Sequence, residues 1–212
     1  MTSAILADII GKIDFQRRQR GFLTISQLLD LNGENVVLDP FSTLISESVV
    51  LGADNLFYPN VTIEARQGGT ISIGSHNIFY SAASLLADGG TILVGSFNEL
   101  GDGGLRIKAN EPQATIMLGD GGRYMSGALI TGRCTLASGS QVLGSITVQN
   151  CTLEAGGSYK DDDPDRRAGV LKGFGIARNL TVKQGEVING RGRREICEFA
   201  QGLFVSRFRK VG

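Results

Sequence analysis

The chain has no tryptophan, one histidine and three cysteines in 212 residues. Each scarcity excludes a class of chemistry. A single histidine, His76, cannot build a three-histidine metal centre. Cys134, Cys151 and Cys197 are odd in number and lack CxxC or Cys/His spacing, which argues against a disulfide framework or a zinc site. They read as buried thiols of a reducing compartment. No charge of one sign dominates: Lys+Arg and Asp+Glu are both 21, so no broad field points to nucleic acid. No apolar run is long enough to span a bilayer. At the N-terminus the apolar residues precede the basic cluster, the reverse of a secretory signal. These features predict a cytoplasmic protein with no nucleic-acid or membrane partner and no metal.

Glycine, by contrast, is abundant at 30 residues, without the three-residue period of collagen. The stretch "GGTISIGSHN" (68–77) returns as "GGTILVGSFN" (89–98), and "ATIMLGDGGR" (114–123) is a third version. Aligned on the aliphatic before the repeated glycine, Leu51, Ile73, Val94 and Leu118 are spaced by 22, 21 and 24 residues. Such a period signals a repeat architecture. Gly52, Gly74, Gly95 and Gly119 follow, and three residues further stand Asn55, Asn77, Asn98 and Gly122. Asn and Gly tolerate positive φ, so this column is read as a recurring left-handed turn. Six residues after each aliphatic lie Phe57, Phe79, Leu100 and Tyr124. A further six give Ile63, Leu85 and then Leu105 or Ile107. Leu118, Tyr124, Ile130, Leu136, Val142 and Val148 keep the six-residue period unbroken. Helical periods of 3.6 or 3.5 do not fit, whereas short strands joined by tight corners, three sides to a coil, do.

These [LIV]-G-x-x-[NG] columns resemble the hexapeptide-repeat family. The resemblance implies an all-β solenoid, a left-handed parallel β-helix, over residues 36–190. The pattern "VTIEARQGGTISIGSHNIFYSAASLL" is similar in coil layout to the small β-helical subunits at the pointed end of dynactin. Excursions at 65–70, 86–91 and 109–115 fall at one phase of the coil and should stack as a ridge. Residues 1–35 form an N-terminal helical or irregular extension, helical over 4–13. Within it, 22–31 is a second short helix entered at Ser26, or a strand. Residues 191–212 are expected to be a C-terminal α-helix with Ile196, Phe199, Leu203 and Phe204 on one face, packed along the coils as the family resemblance implies. The basic clusters Arg17, Arg18, Arg20 and Arg207, Arg209, Lys210 read as solvated.

For chemistry the resemblance offers His76, since many hexapeptide acyltransferases use one histidine as general base. In the aligned coils its slot is filled by Asp54, Phe97 and Gly121, which reads as an ordinary outward turn position. The charged segment "SYKDDDPDRR" (158–167) lacks the ligand spacing and glycine of a calcium loop and reads as a solvated loop. No phosphate loop, nucleophile elbow or dinucleotide fingerprint is present. The reading is therefore a non-catalytic binding or scaffold protein, without cofactor, that self-associates, trimer first, and docks protein partners. The alternative is an acyl-CoA-dependent acyltransferase, with acetyl-CoA or another acyl-CoA in an inter-subunit cleft. There His76 would be catalytic and Asn77 would bind substrate. Carbonic anhydrase activity of the γ-class type is unlike this chain, which has one histidine instead of three.

Overall fold

In an extended strand successive side chains face opposite ways, so a four-residue side of a coil can bury two residues and expose two. Thr70–Ile73 does this: Ile71 and Ile73 point inward, while Thr70 and Ser72 face out. Repetition builds a parallel β-solenoid, seen in a computed structural model that describes residues 2–31, 33–196 and 205–207.

One face is a 7-stranded parallel sheet. Register places Leu51, Ile73, Val94, Leu118, Leu136, Leu153 and Val182 above one another. A second face stacks Val37, Phe57, Phe79, Leu100, Tyr124, Val142 and Leu171. The third stacks Ile45, Ile63, Leu85, Ile107, Ile130, Val148 and Ala177. The six-residue sequence period is thus the three-sided coil, and Ile107, not Leu105, continues the Leu85 column. Val170–Arg178 runs round a corner and pairs with both Gln141–Leu143 and Ile146–Gln149, joining the last two faces into one sheet. The excursions stack as expected: Ala65, Ala87 and Ala109 are in register at their root.

The asparagine column differs from expectation. The residues at positive φ are Asp54, His76, Phe97 and Gly121, one position earlier. Asn55, Asn77 and Asn98 instead turn inward and are buried. The Asn55 and Asn77 side-chain carbonyls each accept the backbone N–H and the amide N–H of the asparagine one coil on: Asn77 bonds Asn55 at 2.9 and 3.0 Å, and Asn98 bonds Asn77 at 2.9 and 3.0 Å. A buried amide is tolerated because it is satisfied.

The solenoid needs covered ends, because a terminal coil would otherwise expose its core. At the start, α1 (Thr2–Arg18) runs outside the coils and α2 (Ile25–Leu29) covers the opening with Ile25 and Leu28. The N-cap of α2 is Thr24, not Ser26, in a reciprocal capping box with Gln27. Arg17 is not solvated. It is buried and donates to the carbonyls of Leu23, Pro40, Phe41 and Thr43, tying α1 to the first coil. The expected C-terminal helix is corrected where it can be seen. Glu186–Ile196 is a strand running parallel to Val170–Arg178, and Val205–Arg207 pairs antiparallel to it. The open edge of the last coil offers a full set of hydrogen-bond partners, and Gly190 and Gly192 weaken a helix there. Residues 197–204 and 208–212, with Phe199, Leu203 and Phe204, lie outside the described residues. Among those described, no helix is long and apolar enough to cross a membrane.

Candidate functional site

Between the 7-stranded face and the Phe57–Phe79 face the chain turns sharply, and the repeated glycine explains how. A Cβ on Gly74 would come within 2.6 Å of Ser96 Oγ and 2.8 Å of the Gly95 carbonyl on the next coil. That close approach, not positive φ, requires glycine. It lets a second ladder form: the amide N–H groups of Ala53, Ser75 and Ser96 donate to Ser75 Oγ, Ser96 Oγ and Asp120 Oδ1. The corner is therefore rigid, held by backbone and side-chain bonds from coil to coil.

Directly after it come three non-glycine residues in the left-handed region, Asp54, His76 and Phe97, at φ of 58°, 59° and 62°. Gly121 and Gly139 take corresponding positive-φ corner positions in later coils. A side chain at positive φ costs on the order of 1–3 kcal/mol, and eleven non-glycine residues at turns of the described chain share this conformation, these three among them. The three side chains stack. His76 Nδ1 lies 3.6 Å from Asp54 Oδ2, and the imidazole lies against the Phe97 ring with centroids 4.7 Å apart and planes at 14°. Nδ1 faces the acid, no described residue bonds Nε2, and the imidazole is about half exposed at 48%. Phe97 is exposed at 63%. Such an arrangement can orient an imidazole and leave its outer nitrogen free to take a proton.

Asn77, the expected substrate-binding residue, is placed elsewhere. It is 0% exposed, and its amide donates to Asn55 Oδ1 and the Gly95 carbonyl. The asparagine holds the corner from inside. Asp54 and Phe97 share a column with His76, so alignment of the coils presents them as alternatives to it. In a solenoid, residues of one column are neighbours in space, so a varied column is itself the composition of a site.

Beside this corner the Phe57–Phe79 face presents Leu56, Ile78, Tyr58 and Tyr80 outward, all half-buried. Tyr58 and Tyr80 pack with ring centroids 5.3 Å apart. Burial raises the Tyr80 phenol pKa, and the charges of Glu99 and Asp102 add to the effect. An apolar, aromatic surface thus adjoins the His76 corner.

The 158–167 segment is folded, not free. Arg167 donates through Nε and Nη2 to the Asp161 carbonyl, at 2.8 and 2.5 Å. Asp161 and Asp163 accept the backbone N–H groups of Asp163 and Asp165. Tyr159 is held under the Arg123 guanidinium, 4.2 Å from its ring centroid, and Arg123 pairs with Glu99 at 3.2 Å. Among the described residues no group of three His, Cys, Asp or Glu side chains converges to hold a metal ion. Cys134 and Cys151 are buried and unpaired, and Cys197 lies outside the described residues.

Fold and corner define a parallel β-solenoid carrying an exposed acid–imidazole pair. No protein-family model and no curated protein matches the sequence. Among solved structures the chain is similar to two mutant forms of AntD, an N-acyltransferase from Bacillus cereus. One, in complex with dTDP-4-amino-4,6-dideoxyglucose and coenzyme A, is 12% identical over 91% of this chain and 94% of its own, with a TM-score of 0.47. The other, in complex with dTDP and coenzyme A, is 10% identical over 84% and 90%, with a TM-score of 0.43. Values this low carry no argument about this chain's activity, which has to rest on its own geometry.

Proposed function

We propose that the protein is an acyl-CoA-dependent acyltransferase, with His76 as general base and Asp54 as the residue that orients it. The observation that carries this reading is the Asp54–His76–Phe97 stack, three side chains held in a strained conformation at one rigid corner. In this scheme Nε2 of His76 takes the proton from an acceptor amine or hydroxyl as that group attacks the thioester carbonyl. The C–S bond breaks and the proton passes to the departing thiolate, so acyl acceptor and free thiol are the products. Phe97, Ile78 and Leu56 give an apolar wall beside the base. The site lies on an open corner, and a neighbouring subunit would close it. A homo-oligomer, trimer first, fits the outward column Val50, Ser72, Leu93, Met117, Thr135 and Thr152, which is flat and carries no charge.

The test is acetyl-CoA binding and thioester consumption with a panel of amine and hydroxyl acceptors. His76→Ala is expected to lose about 100-fold or more in kcat with thioester binding retained, as removal of a general base should. Asp54→Asn is expected to lose less, about tenfold. Full turnover in His76→Ala would remove the proposed base. A second reading, a docking module for protein partners, has its own observation: α1 exposes Ile5, Leu6, Ile9 and Phe15. Absence of thioester binding in the intact oligomer would favour it, and elution of the full chain as a monomer in size-exclusion chromatography with light scattering would remove the trimer.

A further inference from the structure

The 158–167 segment roofs a cavity of about 230 Å³ on the outside of the solenoid, away from the His76 corner in sequence and coil. Its floor comes from the outward residues of the Phe57–Phe79 face, where Gln141, Val170 and Val187 follow one another in register beside Leu143 and Lys172. Its roof is Tyr159, Pro164 and Arg167. The roof is fixed in advance by the Arg123–Tyr159 contact and by Arg167 on the Asp161 carbonyl.

Two groups in this cavity have no use within the described protein. Gln141 is 6% exposed, and its side-chain amide makes no hydrogen bond among the described residues. Its amide still reaches the solvent of the cavity, so a ligand entering there can take the bond. Lys172 lines the same cavity, and no described carboxylate pairs with it. The charged residues of the lining are Arg167 and Lys172, both cationic; Asp161, Asp163 and Asp165 belong to the same segment but not to the lining. Leu143 and Val170 make the remaining wall apolar. A bare inorganic anion would satisfy the cationic end and leave the apolar wall wet, and a neutral apolar molecule would leave Lys172 and Gln141 unmatched.

We propose that this cavity binds a small monocarboxylate with an apolar body. The carboxylate sits between Lys172 Nζ and the Gln141 amide N–H, and the body lies on Leu143 and Val170. At roughly 30 Å³ per water-sized group, the volume holds about eight non-hydrogen atoms. The inference is independent of acyl transfer at His76.

Hexanoate is the probe, titrated calorimetrically into the full chain beside hexan-1-ol, hexylammonium, acetate and inorganic phosphate. Hexanoate is expected to bind at least about tenfold more tightly than each of the others, the effect of one hydrogen bond to a charged group. Lys172→Met and Gln141→Leu should each weaken it by about tenfold or more without moving the melting temperature by more than a few degrees. Leu143→Trp, which fills the cavity, should abolish binding. His76→Ala should bind hexanoate as the wild type does. Failure of hexanoate to bind, equal binding of hexan-1-ol or phosphate, full affinity in both polar variants, or loss of binding in His76→Ala would each overturn the proposal.

Discussion

At Gly122 the asparagine ladder stops, and the reason lies two residues further on. Asn98 Oδ1 still accepts the Gly122 N–H at 2.7 Å, but a Cβ at 122 would meet the Tyr124 ring and hydroxyl. Tyr124 fills the room an asparagine would need and satisfies its own hydroxyl against Ser140 Oγ at 3.0 Å. The neighbouring coil solves the same problem with Asn98 and Leu100. Gly122→Asn alone should therefore cost about 1–3 kcal/mol through overpacking. Tyr124→Leu alone should lose ring burial. The double variant rebuilds the Asn98–Leu100 solution, and the two changes should couple favourably by about 1 kcal/mol or more. Urea denaturation of the four proteins measures this term, and simple additivity would show that Tyr124 is not what ends the ladder.

Among the elements, α1 is tied to the first coil through the Arg17 side chain. Arg17 reaches four carbonyls with a forked guanidinium, at 2.8–3.2 Å, and Asp14 Oδ1 accepts the Ile25 N–H at the start of α2. An ammonium cannot reproduce the fork. Arg17→Lys should therefore release α1 and α2 together, costing about 2–4 kcal/mol locally. Hydrogen exchange should rise across residues 2–30 while the strands at 91–94 and 115–118 stay protected; uniform loss, or none, would contradict this. Arg17 was hard to read because basic residues at a helix end are ordinarily solvated, and its four acceptors come from segments distant in sequence. The coils were legible for the opposite reason: Ile73, Phe79 and Leu85 each repeat in register, so one local pattern states a tertiary arrangement. The 191–196 strand was hidden, since its pairing depends on the free edge of the last coil and not on its own composition. Of the corner, His76 could be picked out. Its acid and its ring could not, because column alignment makes neighbours look like substitutes.

In the molecule as a whole the same stacking concentrates titratable groups in a dry core. Burial pushes the Cys134 thiol from its ordinary 9.0 up to about 11, with smaller backbone and Cys151 contributions. Burial raises Cys151 and Tyr124 in the same sense. Each group is neutral in the folded state and ionises more easily once unfolded. The unfolded chain therefore binds fewer protons over this range, and stability falls as pH rises. For Cys134 the contribution is fully present below about pH 9 and is lost as pH climbs through about 11, roughly 2–3 kcal/mol at 1.36 kcal/mol per unit. Because the core columns run through adjacent coils, ionisation in one coil should be paid for by the cooperative unit around it and not by local fraying. Urea midpoints at pH 7.5, 9, 10 and 10.5 should decline beyond pH 9, and Cys134→Ala should flatten the slope while Cys134 in the wild type stays unreactive to thiol reagents at pH 8 unless urea is added. A slope identical in the two proteins would mean that the Cys134 thiol reaches water without global unfolding.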